Sequence, residues 1–257
     1  MTEAPSESKS LTGRIALVTG GCGGLGQAAA RRLKRDGATV IISDLDAAQG
    51  QSIADELGVQ FLAQDVSDVT DWRAAVEQIT AEHGALDILV NNAAILRADN
   101  IESETLEQFQ RVMAVNCESV FLGIQHCLPL MSRPGAAIIN VCSSSAERGY
   151  PQFVAYTASK AAVRSLTMST AVYLKQQGRA VRCNSVHPDG IITPMVMNIE
   201  GAPPEMSREM GMQAASFACE PEAVADVIAF LASDDARHIN GAGIRVDNTS
   251  TIHAPYW

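Results

Sequence analysis

The chain has 257 residues, 47% of them hydrophobic, which is enough for a substantial core, and an unbroken α/β pattern of this length suits one domain. A formal net charge of −10 disfavours nucleic acid and anionic membrane surfaces as partners, because their phosphates would meet a repulsive field; a small-molecule ligand fits better. No apolar run approaches the roughly 20 residues that span a bilayer.

The opening MTEAPSESKS is polar and has no apolar signal core, so residues 1–10 are expected to be a mobile tail, residues 11–257 one domain, and the protein cytoplasmic. The first strand, RIALVT, runs into TGGCGGLG before a helix beginning near Leu25. The T-G-x-x-x-G-x-G spacing puts Gly20, Gly24, Leu25 and Gly26 where backbone amides at a helix N-terminus can meet a pyrophosphate. A second strand, TVIISD, ends at Asp44, whose carboxylate can accept from adenosine ribose hydroxyls. Neither Cys22 nor Leu45 offers a cation to a 2′-phosphate, so the pattern favours NAD over NADP. The alternative for Asp44 is a helix cap before Ala47 and Ala48.

Strand three, VQFLAQD, precedes Asp65 and Val66, and strand four, LDILVNN, delivers Asn91, Ala93 and Ala94 to the same edge. These residues either line an adenosine or cap neighbouring elements. Leu106 to Met131 carries apolar residues at helical intervals and is expected to be one helix. Strand five, AAIINVC, leads into Ser143, Ser144 and Ser145; for Ser144 and Ser145 a local turn role is preferred. The following YTASK sets Tyr156 and Lys160 four residues apart, on one helical face. An ammonium at that distance stabilises a phenolate and is expected to lower the phenol's pKa from about 10. Strand six, AVRCNSVH, and a last strand, GIRVD, complete about seven strands, alternating with helices in an open, doubly wound parallel sheet with helices on both faces.

No GxSxG elbow and no HExxH motif occurs, so a serine hydrolase and a zinc site are not expected. The six cysteines are widely spaced and read as reduced thiols. The breaker cluster Gly201 to Pro204 lies in a stretch containing Met195, Met197, Met206, Met210 and Met212, which reads either as a lid and apolar pocket or as helix core.

Together TGGCGGLG, NNAA, Asn116, Ser143 and YTASK resemble the short-chain dehydrogenase/reductase family, from about Leu11 to Asp247. The resemblance implies a single-domain Rossmann-type fold, Tyr156 as general acid/base, Lys160 holding the nicotinamide ribose, Ser143 orienting the substrate oxygen and Asn116 positioning a relay water. It carries a nicotinamide clamp onto HPDGIITPM, at Pro188, Ile191 and Thr193, with Asp189 as a departure because many relatives run Pro directly into Gly. NNAA in place of NNAG and DNTS in place of DGG are smaller departures. NCESVFLG and RCNSVHPDGIITPM look most like the family's hydroxysteroid dehydrogenase branch, implying NAD-dependent interconversion of secondary alcohols and ketones on bulky apolar substrates.

A homotetramer is the family's expectation, with Tyr256 and Trp257 at a subunit contact or site mouth. The competing expectations are a 3-oxoacyl carrier-protein reductase and a non-enzymatic NAD-binding sensor. An acidic chain would repel an acidic carrier protein, and a sensor would not need all four reacting positions.

Overall fold

Seven short runs, rich in β-branched residues and separated by helical segments, form one parallel sheet in the computed structural model, which describes residues 10–202 and 218–252. The strands are β1 (Ile15–Thr19), β2 (Thr39–Asp44), β3 (Gln60–Ala63), β4 (Ile88–Asn91), β5 (Ala136–Val141), β6 (Val181–Pro188) and β7 (Gly243–Val246). Their order is β3-β2-β1-β4-β5-β6-β7, the arrangement of a Rossmann-type fold. The expected tail, apart from Ser10, lies outside the described residues. So do Pro203, Pro204, Met206, Met210, Met212, Tyr256 and Trp257.

Because side chains alternate along a strand, the central strands feed two cores. Ala16 and Val18 of β1 join Val40 and Ile42, under α1 (Gly24–Arg35), α2 (Ala47–Leu57) and the later helix Pro221–Ala232. Leu17 and Leu89 point to the other side, where Trp72 and Ile79 of α3 (Val69–His83) pack with Ile124, Val163 and Leu174. Burial on both faces explains why these strands read as continuous apolar runs. Between them, the carboxylate of Asp87, inaccessible just before β4, accepts from the Ile15 amide at 2.9 Å and pairs with Arg14 at 3.2 Å and Arg133 at 3.0 Å.

The single helix expected over Leu106 to Met131 is divided. α4 (Leu106–Met113) runs into a π-helical turn, Ala114–Glu118, before α5 (Ser119–Cys127), and Leu128–Leu130 tightens into a 3₁₀ turn. Apolar periodicity does not reveal such a bulge, because it inserts register without interrupting helical backbone. The long α6 (Val154–Gln176) follows, then the four-residue α7 (Pro194–Met197) and α8 (Pro221–Ala232). No helix among the described residues is long and apolar enough to cross a membrane.

The strand order reverses between β1 and β4. The loops leaving their carboxyl ends therefore diverge and open a cleft there.

Candidate active site

The cleft encloses about 560 Å³, and its walls are the segments that follow the strands. After β1 the chain turns at Gly20, whose φ of +67° favours glycine; an added Cβ would stand 2.8 Å from the Ala93 Cα. At Gly26 a Cβ would meet the Gly20 carbonyl oxygen at 2.2 Å, so turn and helix touch backbone to backbone. α1 begins at Gly24 with no side-chain cap and no acidic residue in its first turn. Its orphan amides and the positive end of its dipole are left for an anion. The turn is tied to β4 through Thr19, whose hydroxyl accepts from the Asn92 and Ala93 amides at 3.0 and 3.1 Å.

Asp44, Asp65, Val66 and Ala93 all line this cleft with the glycine turn. Asp44 is not the cap of α2. That role falls to Asp46, which accepts from the Gln49 amide, while Asp44 accepts from the Cys22 amide at 2.9 Å and the Leu45 amide at 2.8 Å. Asp65 both faces the cleft and organises its own turn, accepting from the amide and hydroxyl of Ser67. Asn91 departs from expectation. Its side chain is buried, donates to the Asn140 Oδ1 at 2.8 Å and stays out of the cleft; Asn92, next along, reaches the cleft and donates to the Thr19 and Gly20 carbonyls. Strand alternation decides between the two asparagines: the last strand residue points into the layer and its neighbour points out.

At the opposite wall, Ser143, Tyr156 and Lys160 come together beside Val141 and Cys142. Ser143 is extended (φ −165°, ψ 158°), and its hydroxyl caps a short turn by accepting from the Ser145 amide at 3.1 Å. Lys160 is buried. Its ammonium donates to the Val141 carbonyl at 2.9 Å and lies 5.5 Å from the centroid of the Tyr156 ring.

This geometry reverses the expected pKa shift. Burial pushes the Tyr156 phenol above its ordinary value, while a hydrogen bond with Ser143 pulls in the other direction without prevailing. Lys160 is bound to a carbonyl rather than to the phenol oxygen, and burial lowers its own affinity for the proton. The helical spacing correctly brings the two side chains together. Desolvation, which spacing does not encode, sets the direction.

Asn116 sits inaccessible in the π turn behind this cluster rather than on the cleft wall. Its amide group donates to the Ile95 carbonyl (3.0 Å) and the Ser159 hydroxyl (3.2 Å), and its oxygen accepts from the Ile95 amide at 2.8 Å. Both of its N–H donors are committed and the side chain is out of reach of solvent. The bulge therefore joins α4–α5, the loop after β4 and α6 at one point.

Pro188, the last residue of β6, with Ile191 and Thr193 just beyond it, closes the cleft above the glycine turn: the Thr193 Cγ2 would lie 3.0 Å from a Cβ placed on Gly24. Asp189, between them, also faces the cleft. Around Tyr156 lies a small separate apolar cluster of Ala98, Phe153 and Ile199, flanked by Leu96, Tyr150 and Ala202. Parallel bridges join Arg97 to Glu200 and Asp99 to Phe153. Sequence reasoning missed the cleft-lining Asn92, Gln64 and Arg111, and the apolar cluster packed against Tyr156. The doubled asparagine in NNAA signals the first; the others come from segments without a local motif.

Residues 20–250 match a family profile described as enoyl-(acyl carrier protein) reductase. The chain is 40% identical to a 3-beta-hydroxysteroid dehydrogenase of Comamonas testosteroni, covering 93% of this chain and 96% of the relative. It is 37% identical to a cyclopentanol dehydrogenase of Comamonas sp. (93% and 98% covered) and 34% identical to an NADP-dependent (R)-specific alcohol dehydrogenase of Lentilactobacillus kefiri (94% and 98%). Among solved structures, the ligand-free aldohexose dehydrogenase of Thermoplasma acidophilum superposes with a TM-score of 0.86 at 28% identity, covering 97% of this chain and 98% of the other. Extending over nearly the whole sequence, these similarities agree with the Rossmann-type sheet order. The chain belongs to the short-chain dehydrogenase/reductase family of oxidoreductases.

Proposed function

We propose that the protein interconverts secondary alcohols and ketones with NAD, on bulky apolar or cyclic substrates such as hydroxysteroids. The observation that carries the reading is the convergence of Ser143, Tyr156 and Lys160 with the glycine turn in one cleft. The protein residues fit a dinucleotide: Gly20 and Gly26 leave no room for a Cβ, and the α1 N-terminus is uncapped. Bound there, the dinucleotide would accept or donate the hydride, and in its oxidised form bring a positive charge.

The chain's own residues handle the oxygen and the proton. Tyr156 takes the hydroxyl proton in oxidation and returns it in reduction, as general base and acid. Ser143, hydrogen-bonded to the phenol, donates to the substrate oxygen as charge builds on it. Lys160 supports the phenolate through space and holds the ribose, while Asn116 braces the loops and presents a backbone carbonyl for a relay water.

NAD is preferred over NADP because the Asp44 carboxylate stands at the end of β2 with no lysine or arginine among the neighbouring cleft residues Gly23, Leu45 and Ser67. One relative is NADP-dependent by description, so the choice rests on this chain's own residues. The apolar cluster around Tyr156 and the hydroxysteroid and cyclopentanol relatives favour bulky or cyclic substrates. Exposed Phe121, Met168, Val172 and Tyr173 on α5 and α6 support the homotetramer, measurable by light scattering.

Absorbance of reduced nicotinamide, followed with NAD or NADP on cyclic alcohols, aryl alkyl carbinols and hydroxysteroids, tests the activity. Turnover with NAD, lost in Tyr156→Phe, is expected; wild-type turnover in that variant would sink the mechanism. Asp44→Ala should erode the preference for NAD, and an unchanged preference would remove Asp44 from the reading.

A further inference from the structure

Asp189 is where this chain departs from the family's Pro-Gly run, and its carboxylate is heavily engaged for a residue on a cleft wall. It accepts from the Ser144 hydroxyl at 2.5 Å and the Tyr150 hydroxyl at 3.1 Å. The Arg148 guanidinium reaches both of its oxygens at 3.2 Å. Arg148 in turn donates to the Tyr150 hydroxyl at 2.5 Å and the Ser250 carbonyl at 2.6 Å, and stacks over the Tyr150 ring 5.2 Å from its centroid. One carboxylate thereby binds the turn after β5, the turn after β6 and the turn after β7.

The location gives the network its meaning. Ser144 is the next residue after Ser143, and Tyr150 packs in the apolar cluster with Tyr156. Asp189 itself follows Pro188, at the start of the segment that closes over the glycine turn. Ser143 and Tyr156 belong to one wall of the cleft and the Pro188–Thr193 segment to the other. Asp189 is a side-chain link between them.

We propose that Asp189 is a positioning residue, which through Ser144, Arg148 and Tyr150 fixes the Ser143 hydroxyl relative to the Pro188–Thr193 wall so that substrate oxygen and nicotinamide are held in register. The proposal rests on the dehydrogenase reading for its kinetic consequence, not for the link itself. Hydride transfer needs reacting atoms within a narrow distance, and a displacement of about 1 Å can cost on the order of 100-fold in rate. Asp189 also stays ionised: burial would raise its pKa, but the hydrogen bonds from Ser144 and Ser250, then Arg148 and Tyr150, outweigh it and hold the carboxyl below its ordinary value.

Asp189→Ala, Ser144→Ala, the Asp189→Ala/Ser144→Ala double variant and Tyr150→Phe test the proposal in the full-length protein. Three readouts apply: steady-state kinetics, NADH binding by fluorescence, and hydrogen exchange of the 143–150 and 189–193 amides. Asp189→Ala is expected to lower kcat by roughly 10- to 100-fold, with NADH affinity and KM changed far less, and to speed exchange in both segments. The double variant should lose no more than Asp189→Ala alone, because both act through one bond.

Unchanged kcat, additive losses in the double variant, or exchange altered in only one segment would overturn the proposal. Should Asp189→Ala fail to fold, Ser144→Ala and Tyr150→Phe each remove one donor and must show the same kcat loss in smaller degree, or the proposal falls. If the wild type turns over no secondary alcohol, the dehydrogenase reading fails while hydrogen exchange still decides whether Asp189 links the two walls.

Discussion

Lys160 faces the Tyr156 ring 5.5 Å from its centroid while its ammonium is bound to the Val141 carbonyl at 2.9 Å. The cation is thus anchored by backbone rather than by the tyrosine whose ring it faces. Burial leaves the phenol holding its proton tightly, so alcohol oxidation, which needs the phenolate, should accelerate as pH rises. Lys160→Met removes the cation and Ser143→Ala removes the hydrogen bond that opposes burial. Each should move the rising limb of kcat/KM to higher pH. A pH profile of oxidation measures this, and a limb that stays in place in both variants would contradict it.

Gly26→Ala should be far more damaging than Gly23→Ala. The added methyl at Gly26 lies 2.2 Å from the Gly20 carbonyl oxygen, whereas at Gly23 its nearest neighbour is 3.4 Å away. Overpacking of the first kind costs about 1–3 kcal/mol and would displace the turn proposed to hold the coenzyme. Thermal unfolding and NADH titration of both variants give the comparison; equal stability would refute the backbone contact.

Asn91→Ala should lower stability more than it lowers coenzyme affinity. Asn91, Asn140 and Thr167 form a buried relay from β4 through β5 to α6, with bonds of 2.8 and 2.9 Å. Removing its first member strands the Asn140 oxygen at a cost of about 1–3 kcal/mol. Urea unfolding set beside NADH binding distinguishes this from a direct coenzyme contact, for which affinity would fall first.

Ile199→Ala opens the apolar cluster around Tyr156, where Ile199 is 6% exposed. Loss of that contact should raise KM for large apolar alcohols by roughly 10- to 200-fold, corresponding to the roughly 1–3 kcal/mol available from one hydrophobic contact, with a smaller effect on short alcohols. Equal effects on both would place Ile199 outside the substrate pocket.

The sequence by itself determined the strands, the glycine turn before α1, the acidic end of β2 and the Tyr156–Lys160 helical face. Each follows from local rules: side-chain period, steric freedom at glycine, and the 3.6-residue turn. The tertiary structure alone decided that Asn92 rather than Asn91 reaches the cleft, and that the Leu106 to Met131 segment bulges at Asn116. It also decided that Asp189 collects donors from residues 39 to 45 positions away, and that burial raises rather than lowers the pKa of Tyr156. These outcomes depend on which groups meet across the fold and how much water they lose, quantities set by packing between distant segments rather than by the spacing of residues along the chain.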